Sequence, residues 1–426
     1  MKLKAVVLVS LYLLASVPSS ANGVLRNGTG ARSTGLAGAD TVFADDPLAA
    51  INSNPSDLSK NQSGKLQINL TAGVLDAEYD NAVSSGNDAD SSPGLIPEIA
   101  YAGLFNDRLG WGLSISPISA VEADWIFLDP PGALGSYGRQ THKSSFIPLR
   151  TAFGLGYQIT PRWSVGASAG LIYNRNRLKI PYIFQTAAGL TGAKVLVNLE
   201  ADGFGANAVI STNYLLTDTL ALSLAYTTPT WFEADGTLRG NSDPVIGVGS
   251  FRYDAEVETE LPQIISGGLR WQANQALTLG LQVNWIDWSS AFNHLPVMLT
   301  NGNNGSLPAT ITDSVPLDWD DQVVFHLAGE YAWSDRLTLR AGYSFADNTV
   351  PSTTLTPTTA AITEHSLGFG LGYRWNDLQV DLGYQWNLPN EVSTGDSRLL
   401  FDEYDNASVD VSIHTLSIGI TFEDPF

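Results

Sequence analysis

From Gly64 onward, apolar and polar residues alternate along the chain. In the first run Leu66, Ile68, Leu70, Ala72 and Val74 share one face, and Gln67, Asn69, Thr71 and Gly73 share the other. In the last, Leu416, Ile418, Ile420 and Phe422 alternate with Thr415, Ser417, Gly419 and Thr421. Period two marks extended strands, whose successive side chains point to opposite faces. The second face is mostly Gly, Ser, Thr, Asn and Gln. A soluble sheet hides its apolar face and shows charge on the other, whereas an uncharged polar face suits the lumen of a barrel whose outside meets lipid.

The connections come in two lengths. Tight turns are expected at Asn106-Asp107-Arg108, Thr160-Pro161, Thr217-Asp218, Asn274-Gln275, Ser334-Asp335 and Asn376-Asp377. Long polar loops are expected at roughly 77–94, 121–144, 179–201, 232–252, 290–321, 347–365 and 389–409. Short turns alternating with long loops predict an all-β fold, a transmembrane antiparallel barrel of about fourteen strands over residues 64–426. Its turns would face the periplasm and its loops the outside. Trp111, Trp163, Trp271, Trp333 and Trp375 each lie near a tight turn, where they would form the periplasmic aromatic girdle. Phe426 falls in phase with the apolar face of the last strand, as in barrels inserted by the outer-membrane assembly machinery.

The N-terminus agrees with export. Lys2 and Lys4, the apolar run Ala5–Val17 and the small residues Ser19 and Ala21 read as a signal peptide over residues 1–21. Of the 426 residues only 15% are charged, with 40 glycines and 11 tryptophans, a charge-poor composition for a soluble surface. Cysteine is absent, which excludes disulfides and thiolate chemistry. A net charge of -21 argues against nucleic-acid binding.

Residues 22–63 do not alternate. They are rich in Gly and Ala, with short helices expected over Leu36–Ala44 and Pro47–Ile51, the second capped by Asp45 or Asp46. Too small for a core of its own, this stretch is expected to fill the lumen as a plug; a periplasmic tail is the alternative. The run GTGARSTGLAGADTVFADDPLAAINSNPSDLS resembles the start of the FadL/TodX family of outer-membrane transporters for long-chain fatty acids and aromatic hydrocarbons. Asn54-Pro55-Ser56 occupies that family's Asn-Pro-Ala motif, with serine in place of alanine. LPQIISGGLRWQANQALTLGLQVNWIDWSSAF and LRAGYSFADNTVPSTTLTPTTAAITEHSLGFGLGYRWNDLQVDLGYQW resemble its later hairpins. The resemblance implies a monomeric fourteen-stranded barrel with an N-terminal hatch. It also implies a route: capture between long loops, an internal pocket, hatch rearrangement, and lateral exit at a kinked third strand.

Candidate sites follow. Pro117 cannot donate a ladder hydrogen bond, so Ser116 and Pro117 are either a kink opening the wall or the simple end of a strand. Asn54, Pro55 and Ser56 are either an ordinary turn or the hatch element lying against that kink. By alternation Arg150, Arg270, Arg340, Arg374, Glu98, Glu330 and Asp381 point inward, where they would pair with Asp40, Asp45, Asp46 and Asp57 and seat the hatch. An arginine anchoring a ligand carboxylate is the sharper alternative. The aromatics Trp125, Phe127, Trp288 and Phe292, assigned to loops or strand ends, either form a hydrophobic capture groove or close the mouth.

No cofactor and no metal site is expected, and the five histidines (His142, His294, His326, His365, His414) form no catalytic motif. The acidic loops suit divalent cations held against lipopolysaccharide. A hydrophobic small molecule and outer-membrane lipid are the expected partners; a diffusion porin or a non-transporting surface barrel are the competing readings.

Overall fold

The computed structural model describes residues 23–60 and 64–425. The signal-peptide reading of residues 1–21 and the terminal Phe426 lie outside them.

Eight wall strands are unbroken: β1 (Lys65–Asn81), β2 (Gly94–Asn106), β5 (Trp163–Ile183), β6 (Lys194–Leu215), β11 (Leu337–Phe345), β12 (His365–Trp375), β13 (Leu378–Ser393) and β14 (Ser408–Glu423). Six come in two segments. These are β3 (Leu109–Pro117, Val121–Leu128), β4 (Arg139–Phe146, Leu149–Thr160), β7 (Leu220–Thr227, Thr230–Asn241), β8 (Ser250–Leu261, Ile264–Gln272), β9 (Leu277–Ile286, His294–Thr300) and β10 (Ile311–Pro316, Gln322–Ala332). A short strand, Ser84–Asp88, folds back on β1. Neighbours pair antiparallel, and β1 pairs with β14 from Lys65↔Glu423 to Asp80↔Ser408, which closes a ring of fourteen. Closure leaves no open sheet edge for lipid to meet.

Alternation decides which face looks where. Ile68, Leu70, Ile99, Leu113 and Phe153 are exposed on the outside, while Gln67, Asn69 and Thr71 are buried within. Trp163, Trp271, Trp333 and Trp375 stand exposed near the tight turns. Trp111 packs between Phe105 (5.6 Å) and Phe153 (6.5 Å). The turns are closed by their own side chains: Asn106 Oδ1 accepts from the Arg108 and Leu109 amides (both 3.0 Å), and Asn274 Oδ1 from Ala276 (2.9 Å) and Leu277 (3.0 Å).

The strands run much further than expected. β5 and β6 pair without a break from Trp163↔Tyr214 to Ile183↔Lys194, deep into the stretch read as loop. There Val197, Leu199 and Ala201 stay buried while Glu200 and Asp202 face out. Period two persists, but its outer face meets water instead of lipid, so charge replaces the greasy residues.

Residues 23–60 lie inside the ring. Helix α1 is Gly30–Gly35, α2 is Pro47–Asn52, and a 3-10 turn spans Pro55–Lys60. Asp46 caps α2 by accepting from the Ala49 amide (3.1 Å), and Pro47 fills its first turn. The helix expected over Leu36–Ala44 does not form. Ala37 and Gly38 adopt φ of 48° and 81°, which ends α1 and turns Asp40 back to accept from the Thr29 amide (3.1 Å).

The apolar residues of the segment (Leu36, Val42, Phe43, Leu48, Ile51, Leu58) are all buried, each contributing roughly 1.5–3 kcal/mol. Glycines on the inner wall let its backbone touch the strands. A Cβ on Gly166 would overlap the Pro55 carbonyl, one on Gly383 the Ala31 carbonyl, and one on Gly342 the backbone of Leu36. Replacing Gly166 by Leu is expected to leave the barrel assembled but unseat the segment, raising single-channel conductance in a planar bilayer. Conductance equal to the parent's would mean that the segment is not held there.

Candidate functional site

Of the cavities among the described residues, two lie one on each side of residues 24–26. The upper, about 210 Å³, is lined by Val24, Trp125, Phe146, Phe292, Leu317 and Trp319, among others. Trp125 is positioned by the upper segment of β3, and its indole N–H donates to the Pro357 carbonyl (3.2 Å) of a strap crossing the top. Trp319 and Phe292 pack at a tilt of 35° with centroids 4.7 Å apart, and Trp288 is edge-on to Phe292 at 5.0 Å.

Trp125 and Phe127, assigned to an exposed loop, therefore sit elsewhere, while Trp288 and Phe292 lie at the end of a strand segment as expected. Trp125 and Phe127 are on a strand, at 1% and 0% exposure, because the alternation of Val121–Leu128 turns them inward. Trp125 and Phe292 line the cavity. Phe127 stacks on His142 (3.7 Å) and packs at a tilt against Tyr79 (4.7 Å), while Trp288 supports Phe292 and Trp319.

The lower cavity, about 150 Å³, is bordered by Leu25, Arg26, Asn52, Pro117, Ile118 and Arg150. Arg150 donates to Asn52 (2.8 Å), Asn207 (2.8 Å) and Ser168 (3.1 Å). Among the described residues no carboxylate pairs with it, so it seats the end of α2 through neutral partners.

The wall parts beside this cavity. The β2–β3 ladder stops at Ile99↔Ile115, while Ser116 and Pro117 still pair with Arg150 and Leu149 of β4. β3 itself breaks over residues 118–120. The N-terminal segment takes the place of β2 there. Leu25 bridges Ser119, the Arg26 amide donates to the Ile118 carbonyl (3.2 Å), and the Arg26 guanidinium donates to the Pro117 carbonyl (3.2 Å). Arg26 also pairs with Glu98 at 2.6 Å, with the Glu98 side chain wholly buried. Residues 24–26, not the Asn-Pro-Ser triplet, stopper the gap.

Asn54, Pro55 and Ser56 lie against β4–β6 instead. Pro55 rests on Gly156 and Gly166, and the Ser56 amide donates to Ser211 (2.8 Å). Asn54 donates to the Thr41 carbonyl (2.8 Å) and accepts from the Ser56 hydroxyl (2.6 Å), locking the triplet to its own segment.

Charge binds the other side. Arg32 pairs with Glu330 (2.8 Å) and Asp45 (2.8 Å), Asp45 with Arg270 (2.6 Å), Glu330 with Arg340 (2.7 Å), and Arg340 with Asp381 (2.7 Å). This chain of alternating charge joins the segment to β8, β10, β11 and β13. Arg374 lies at the rim against Gln379 (3.5 Å) and Glu423 (4.0 Å), away from the segment's carboxylates. Of the expected hatch acids, only Asp45 meets a wall arginine; Asp46 lies 3.8 Å from Arg32, and Asp57 pairs with Lys60 (2.6 Å). The sequence reading missed Arg26 and Arg32. Both stand in a stretch with no periodicity to tell where a side chain points.

The chain matches the model of the family described as outer membrane protein transport protein (OMPP1/FadL/TodX) over residues 12–426. It belongs to that family. The Pseudomonas aeruginosa FadL homologue superposes with a TM-score of 0.75 at 16% identity, covering 94% of this chain and 100% of the other. The P. putida toluene transporter TodX gives 0.74 at 19%, covering 93% and 99%. The Ralstonia pickettii toluene transporter TbuX gives 0.72 at 18%, covering 93% and 98%. At these identities the likeness shows the fold. A search of curated proteins finds no match. Membership places the chain among outer-membrane transport proteins and not among enzymes.

The long connections gather at the end of the barrel opposite the tight turns, and one buried cluster ties three of them together. Lys194 pairs with Asp129 (2.5 Å) and Glu403 (2.9 Å), all nearly inaccessible to water. One cation serves two buried acids. Burial pushes the Glu403 carboxyl up to about 7 against the pull of Lys194, with Asp129 adding to the rise. Because its folded value is raised, its contribution to loop stability is full at acid pH and is lost as pH rises through about 7. The protection factors of the amides in residues 398–406, measured against intrinsic exchange at each pH, are expected to fall between pH 5 and 8, and Glu403→Gln to flatten that fall. An unchanged pH profile in the variant would refute the assignment.

Proposed function

We propose that this protein carries hydrophobic small molecules passively across the outer membrane, with residues 23–60 acting as a hatch. The carrying observation is the stacking of an apolar cavity above a second cavity that borders the parted β2–β3 ladder. A molecule gains about 25 cal/mol for each Å² of apolar surface it buries, so a closed greasy cavity holds what an open water channel cannot. Ligand would settle against Trp125 and Phe292, pass down as residues 24–26 withdraw from Ser119 and Glu98, and leave sideways into lipid near Ser116–Ala120. The toluene transporters of the same fold support the substrate class. A general porin fits less well, since the segment meets the inner wall from β1 round to β14. The protein acts in this reading as an outer-membrane monomer placed by the assembly machinery among lipid and lipopolysaccharide.

Arg150 favours an acid-bearing ligand in the lower cavity, where it is buried with no acidic partner among the described residues. Calorimetry of refolded protein with dodecanoic acid tests the reading: the Trp125→Ser, Phe292→Ser double variant is expected to lose binding while remaining folded. Unaltered affinity would place the ligand elsewhere. Arg150→Met is expected to weaken dodecanoic acid by about tenfold or more and to leave dodecane unaffected, as loss of one charge-assisted hydrogen bond predicts. Equal loss for both ligands would make Arg150 structural only.

A further inference from the structure

The wall has a second break, on the other side of the barrel from β3. In β7, Thr228-Pro229 separates the pair Thr227↔Ile264 from Thr230↔Leu261; in β8, Pro262-Gln263 does the same from the opposite side. Neither proline has an amide to donate, so the ladder cannot continue through them.

Between β8 and β9 the interruption is wider. Pairing runs up to Ile264↔Ile286 and resumes only at Val257↔Val297. Residues 258–263 of one strand thus face residues 287–296 of the other without a ladder. Gln263 and Asp287 hold the lower rim, through the Asp287 amide (3.2 Å) and the Gln263 side chain (2.7 Å). β9 leaves the wall through the helical turn Trp288–Ala291 and follows β10 instead. There the Leu317 amide donates to Asn293 (2.9 Å) and the Trp319 amide to Phe292 (3.1 Å).

A cavity of about 450 Å³ occupies the break. Its outer lip is Phe204 and Trp231, 61% and 64% exposed on the lipid-facing side. Its inner lip is Thr259, Phe292, Leu295 and Leu317, and these same four residues line the upper apolar cavity. Irregular backbone at membrane depth persists only where protein covers it or where it lines a cavity that water can enter. Nothing of residues 23–60 lines this cavity, unlike the break at β3.

We propose that the break between β8 and β9 is a second lateral doorway, through which uncharged hydrophobic molecules dissolved in the membrane's outer interface enter the apolar cavity directly. Glu233, Glu258 and Glu260 stand at the cavity and set this choice, since a ligand carboxylate would meet three of its own sign. Phe292, held between Trp288 and Trp319, separates the doorway from the cavity behind it. The inference rests on the transport reading, because it needs the apolar cavity to be a ligand site.

The test is photolabelling of the full protein in phosphatidylcholine vesicles, with a phenyl trifluoromethyl diazirine dissolved in the lipid. Adducts are expected on Phe292, Leu295 and Leu317 and, behind them, on Trp319. Thr259→Trp should abolish the Trp319 adduct while Phe204 and Trp231 stay labelled. Should that variant fail to assemble, Phe292→Ala is expected to increase labelling of Trp319. Labelling of Phe204 without Phe292 or Leu295, or of Trp319 undiminished by Thr259→Trp, or no increase in Phe292→Ala, would overturn the doorway. If the doorway alone is wrong, dodecanoic acid added from water still binds the parent protein; if that binding is also missing, the transport reading falls with it.

Discussion

A backbone amide or carbonyl facing hydrocarbon must find its partner within the protein, and this constraint shapes the whole molecule. Fourteen strands meet it by closing on themselves, β1 against β14. Where the ladder fails, the deficit is met in two different ways. At β2–β3 the N-terminal segment lends its own backbone, with Leu25 and Arg26 standing where a strand would. At β8–β9 the strand bends away to β10 and leaves a lined cavity. The prolines are thus not defects of the wall but the points at which it departs from a cylinder.

Charge then decides how firmly the interior is held. The Arg32–Glu330–Arg340–Asp381 run is largely buried, while Asp45 and Arg270, which extend it, are 40% and 28% exposed. Removing one member of such a network strands its partner, at a cost of about 3–5 kcal/mol. Its value is therefore positional: it makes one seating of α1 far better than any neighbouring one. The glycines opposite the segment's backbone act the same way through sterics, since they admit contact only where no Cβ intervenes.

The barrel was legible in the sequence because period two and the alternation of short and long connections are local signals. Strand lengths were not. Once outside lipid, the outer face of β5 and β6 turns acidic, and Glu200 and Asp202 read as loop although their neighbours stay apolar. Pro117 marked the parted ladder, yet nothing local could say that Arg26 fills it or that Asn54-Pro55-Ser56 rests on Gly166 across the lumen. Those contacts link residues 72 to 155 positions apart. Trp125 and Phe127 were misplaced for a simpler reason: their alternation continues past a charged stretch, so their strand passed for a loop.

The uneven attachment of the segment bears on how a hatch could work. Residues 30–58 are fixed by ion pairs, by α1 against β12–β14 and by the 3-10 turn against β4–β6. Residues 24–26 are held by the Glu98 pair, the Ser119 bridge and a few backbone bonds. Gly28 lies between the two parts and Gly30 opens the second, at φ of 98° and 79°, in conformations open chiefly to glycine. On the transport reading, opening the gap beside Pro117 then requires only a swing of the first few residues about these glycines. The network around Arg32 then stays intact, because residues 24–26 are latched while residues 30–58 are packed.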